Sequence, residues 1–168
     1  MPFVWEALRR AEKIGYLFPT DPYPRGHVVD TVLERLIVLV QHPIASWFGW
    51  HYCNLETCSQ EQSSAELRHN GFLIANRCDS DILVPGNTTV YVAPALILHY
   101  ILRHEYVPPS SFTEAVLACP EPGSEAYFAA IERICPAKTP QEFMETMAAH
   151  QNTWNFMRRF EIRRSQGN

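Results

Sequence analysis

Between Val28 and Gln41, apolar residues fall at Val29, Val32, Leu33, Leu36 and Val40, the spacing of one helix face. Ile37 and Leu39 add to this apolar character, so the helix is expected to be largely buried. It should stop at His42, because Pro43 disfavours helical backbone in the residue before it. Met1 to Gly15 predicts another helix. Val4, Leu8 and Ala11 form a stripe flanked by Phe3, Ala7 and Ile14, and Gly15 suits a C-terminal cap. Phe18 to Gly26, carrying Pro19, Pro22 and Pro24, reads as an ordered, non-helical connector.

The middle of the chain changes period. Ile44 to Tyr52 is rich in aromatics, and Asn54 to His69 is polar, a surface loop or weak helix. Gly71 to Asn76, Ile82 to Val84 and Thr88 to Val92 predict short strands, with Cys78-Asp79-Ser80-Asp81 and Pro85-Gly86-Asn87 as turns. Pro94 suits the first position of a helix that runs to about Arg103 and stops at Pro108-Pro109. Ser111-x-x-Glu114 reads as a capping box opening Phe112 to Cys119. Ser124 caps Glu125 to Cys135, with Tyr127, Phe128, Ile131 and Ile134 inward. Thr139-Pro140-Gln141-Glu142 starts a last helix, 140–163. The pattern gives an α+β fold: a small antiparallel sheet of three to four strands with flanking helices. Its 168 residues suit a single domain, 1–168, with a core over roughly 18–135 and the helices 1–16 and 140–163 packed on it.

Composition narrows the function classes. A hydrophobic share of 46% supports a packed core and argues against disorder. A net charge of −4 gives no electrostatic support for nucleic acid or an anionic membrane, and would suit a basic protein partner. No apolar run approaches the roughly 20 residues of a membrane span, and charged residues interrupt the N-terminal segment, so no membrane partner and no secretory signal are expected. The odd cysteine count, five, without a signal points to reduced thiols or metal ligands in a cytoplasmic setting.

Two pairs carry candidate chemistry. Cys53-x4-Cys58 and His99-x4-His104 offer the thiolate and imidazole donors that tetrahedral Zn2+ prefers, each pair delivered by one short segment. Residues five apart on an ideal helix point about 140° away from each other. Convergence of His99 and His104 therefore requires the helix to end or tighten between them. His51 is the substitute ligand should His104 face solvent, Cys78 is an outside candidate, and Cys119 and Cys135 read as core filling. The competing account makes the cysteines ordinary buried thiols and the histidines polar residues on a core helix.

The run Val84-Pro85-Gly86 … Val90-Tyr91-Val92-Ala93-Pro94-x-Leu96-Ile97-x-His99-Tyr100-Ile101-x-x-His104-x-Tyr106-x-Pro108-Pro109-x-x-Phe112-x-x-Ala115-Val116-Leu117 resembles a family of small bacterial proteins of unassigned function. The likeness extends upstream to Phe48-Gly49-x-His51-x-Cys53 and downstream to Gly123-Ser124, covering roughly 18–131. Family members usually carry a Cys-x-x-Cys pair after the aromatic-Gly-x-His segment, where this chain has Cys53-x4-Cys58. The resemblance implies a structural metal site and brings no activity with it.

Three functions are consistent with these features. The leading one is a zinc-stabilised, cytoplasmic protein-binding module, such as an immunity protein that neutralises a toxin. A zinc-dependent nucleic-acid binder would use Arg158, Arg159, Arg163 and Arg164 with the aromatics Trp47, Phe48, Trp50 and Tyr52, against an acidic overall balance. A small metal or thiol hydrolase would need an open zinc position with Glu105 as base, or Cys53 activated by His51. Four candidate ligands favour a closed site, and no catalytic signature stands out, so no catalytic residue is assigned.

Overall fold

The computed structural model describes residues 7, 10, 11–43, 45–46, 52–55, 58–59, 66–74 and 79–136. The expected helix 140–163, the aromatics at 47–50, His51 and Cys78 lie outside them.

The centre of the molecule is a hairpin of β5 (Ser80–Pro85) and β6 (Val90–Pro94), antiparallel with Leu83 opposite Val92. Ile82, Leu83, Val84 and all five residues of β6 are buried, so both faces of this pair are covered. That is why the sequence here runs apolar without alternation. β2 (Ala45–Ser46) adds antiparallel to β5, and β1 (Glu12–Lys13) adds parallel to β6, giving the order β1-β6-β5-β2. A separate two-stranded sheet joins β3 (Leu67–His69) to β4 (Phe72–Ile74). The fold is α+β, as the sequence predicts.

Two strands depart from expectation. β1 lies where a continuous helix to Gly15 is predicted. Ala7 and Arg10 are helical, but from Glu12 the chain pairs with the open edge of β6, and Ile14 N–H donates to Val92 O at 2.8 Å. Sheet hydrogen bonds available at that edge outweigh the modest helical preference of four residues. β3 falls in the stretch read as loop or weak helix. Asn70 and Gly71, with φ of 46° and 82°, supply the two left-handed residues of a tight hairpin turn. This Asn-Gly pair is a hairpin signal overshadowed by the polar residues before it.

Four helices among the described residues pack around the sheet. α1 (Asp30–Gln41) buries Val32, Leu33, Leu36, Ile37, Leu39 and Val40, whereas Val29 is its exposed N-cap rather than part of the stripe. α2 (Ile97–His104) starts three residues later than expected, because Pro94 completes β6 instead of opening the helix. α3 (Ser110–Ala118) has Pro109 as N-cap and no side-chain cap, so the Ser111–Glu114 box does not operate there. α4 (Glu125–Ile134) is capped as predicted, Ser124 Oγ accepting from Tyr127 N–H at 3.1 Å. α1 packs on α3, and α3 and α4 both pack on β5. No helix among the described residues is long and apolar enough to cross a membrane.

Candidate metal centre

α2 delivers both histidines. Its last turn ends at Glu105, a left-handed residue at φ 56°, whose N–H points to Tyr100 O; Tyr106 N–H also donates to Tyr100 O, at 3.1 Å. A turn closed over five residues rather than four is wider than an α-turn. Both histidines lie within α2, which neither ends nor tightens between them, and His104 is its last residue. The two rings lie 5.1 Å apart, with 3.2 Å between their Nε2 atoms.

The proline-rich connector holds that end in place. Val107 N–H donates to Pro24 O at 3.0 Å, Gly26 N–H donates to Glu105 O at 2.9 Å, and Tyr23 packs edge-on against Tyr106. This support for His104 went unread in the sequence, although the prolines marked the connector as ordered.

The cysteines arrive from the segment before β3. Cys58 N–H donates to Leu55 O at 2.9 Å, closing a turn anchored by buried Leu55. Cys53 Sγ lies 3.4 Å from His104 Nε2, and Cys58 Sγ lies 3.3 Å from His99 Nε2. All four donor atoms fall within 4.8 Å of one another. Cys53, His99 and His104 are buried, and Cys58 is partly exposed. The structure thus brings together all four residues chosen from the sequence, and His104 faces inward.

A tetrahedral zinc ion with ordinary bond lengths has N···N edges of about 3.3 Å and N···S edges of about 3.6 Å. The three separations above lie close to those edges. Protons alone satisfy the cluster poorly. If each thiol donates to its neighbouring imidazole, the two Nε2 atoms still face each other as acceptors at 3.2 Å. His99 Nδ1 is also buried, without a hydrogen-bond partner among the described residues. Four lone pairs converging on one point fit a cation.

Both rings are held neutral, the form that ligates. Burial, reinforced by His104 and Arg103, lowers His99 from 6.5 to about 4. Burial, with Arg25, also lowers His104. The other described cysteines stand apart. Cys119 and Cys135 are buried in the core, and burial pushes the Cys119 thiol from 9.0 up to about 11. Glu105 is exposed and serves the fold through its backbone carbonyl.

Fold and site together define a small α+β protein with a Cys2His2 cluster able to hold a metal ion. The chain belongs to the family described as domain of unknown function DUF7919, whose model matches residues 4–117 and includes all four cluster residues. The expectation of an uncharacterised family holds at that level. No curated protein and no solved structure matches the chain.

Proposed function

We propose that the chain is a protein-binding module whose fold is closed by a structural zinc ion on Cys53, Cys58, His99 and His104. The observation that carries this reading is the convergence of four donor atoms within 4.8 Å of one another, with three of their separations at 3.2 to 3.4 Å. Two sulfur and two nitrogen donors suit zinc over the harder cations, which prefer oxygen. Four protein ligands fill its coordination shell. That supports a structural ion over one keeping a position open for water.

With the metal committed to the fold, the protein's work falls to its surface. The net charge of −4 suits a basic partner, and an immunity protein that neutralises a toxin is the particular role proposed. A cytoplasmic setting would keep both ligand thiols reduced.

Cobalt substitution tests the donor set. A tetrahedral dithiolate site should give intense visible bands and a sulfur-to-cobalt charge-transfer band in the near ultraviolet. The pale spectrum of an octahedral oxygen site would contradict the reading. Gel filtration with the products of adjacent genes tests the partner role, which predicts a stable complex with one of them; no complex with any neighbour argues against it.

A further inference from the structure

Among the four donors of the cluster, exposure is uneven. Cys53, His99 and His104 are 4%, 0% and 7% exposed, whereas Cys58 reaches the surface. The two sulfur atoms lie within 4.8 Å of each other, on a segment already folded back by the Cys58 N–H to Leu55 O bond. A disulfide requires about 2.05 Å between the sulfurs, so the two side chains must turn towards each other as it forms. We propose that Cys58 is an oxidant-sensing site, at which a hydroperoxide drives formation of a Cys53–Cys58 disulfide and expels the metal. This inference rests on the zinc reading above.

The chemistry closes with the peroxide as the only added oxidant. Cys58 thiolate attacks one peroxide oxygen, the O–O bond breaks, and the departing alkoxide takes a proton to leave as alcohol, or as water from hydrogen peroxide. Cys58 is then a sulfenic acid. Cys53 thiolate attacks Cys58 Sγ, the S–O bond breaks, and the leaving hydroxide takes a second proton to become water. Two thiolates lose two electrons, the peroxide gains two, and two protons are consumed. Zinc retains only His99 and His104 and dissociates, and a thiol reductant restores the pair.

The remaining described thiols are poor competitors. Cys119 and Cys135 are 3% and 4% exposed, and the Cys119 proton is held by burial.

The test treats the zinc-loaded full chain with hydrogen peroxide, following released zinc with a chromogenic chelator and mapping cysteines by mass spectrometry after alkylation. The expected result is about one zinc released per Cys53–Cys58 disulfide, reversed by reductant and added zinc. Release accompanied by Cys58 sulfinic acid without the disulfide would overturn the proposal, as would retained zinc under peroxide that oxidises Cys119 or Cys135. Failure of the reduced chain to bind zinc at all would instead overturn the metal reading, and this inference with it. Cys58→His keeps four ligands and removes the oxidisable pair, so it should hold zinc through the same treatment. Release from that variant at the wild-type rate would also count against the proposal.

Discussion

Tyr127 shows what one side chain contributes to holding the site in place. From α4 its hydroxyl donates to Leu83 O at 2.7 Å, inside the core and on the strand beside β6, which leads into α2. Tyr127→Phe keeps the ring packing and leaves that carbonyl without its partner. The expected loss is about 1–3 kcal/mol in urea denaturation, and an unchanged midpoint would show the bond to be dispensable. The donor types and their pairing were readable at the residue scale: Cys53, Cys58, His99 and His104 could all be chosen from spacing and chemistry. Their convergence could not be, because a five-residue step on an ideal helix points the two histidines about 140° apart.

At the scale of elements, glycines at two turns make contrasting predictions. Gly71 has φ of 82° with nothing within 4 Å of a Cβ placed there, so Gly71→Ala should cost only backbone strain, about 1 kcal/mol. Gly15 has φ of 74°, and its added Cβ would meet Ile97 side-chain carbons at 3.1 Å. Gly15→Ala should therefore cost more, about 2–3 kcal/mol, since crowding against the buried first residue of α2 adds to the same strain. Thermal melts of the two variants check this, and equal losses would contradict the account of Gly15. Elements with strong local signals, α1, α4 and the β5–β6 hairpin, were legible in the chain. β1 was not. Two residues carry little intrinsic preference, and their pairing with Tyr91 and Val92 is set by tertiary contact. Pro94 misled for a related reason: its fixed φ suits a helix start, but the register with Asp81 keeps it in the strand.

For the whole molecule, buried titratable groups define a stability window. His99 falls from 6.5 to about 4 in the folded chain. Between those values the unfolded chain binds more protons, so stability should fall as pH drops from about 6.5 towards 4. Protons also compete with a metal for Nε2, which acts in the same direction. At the alkaline end Cys119 is raised from 9.0 to about 11. There the folded chain keeps the proton, and stability should fall as pH rises through that interval. Denaturation midpoints across pH check both limbs, and Cys119→Ala should weaken only the alkaline one, where Tyr16, Tyr106 and Tyr127, all raised from 10.0 by burial, keep the decline above about pH 10. A midpoint flat from 6.5 to 4 would contradict the burial of neutral His99.

The metal is the central claim, since it converts four converging donors from a burial problem into a source of folding energy. Elemental analysis of the purified chain, beside the double variant Cys53→Ser/Cys58→Ser and with circular dichroism on both, tests it most directly. The account predicts about one zinc per wild-type chain, and loss of both metal and fold in the variant. A metal-free wild type that is fully folded, or a variant that loses its zinc and keeps its fold, would contradict it.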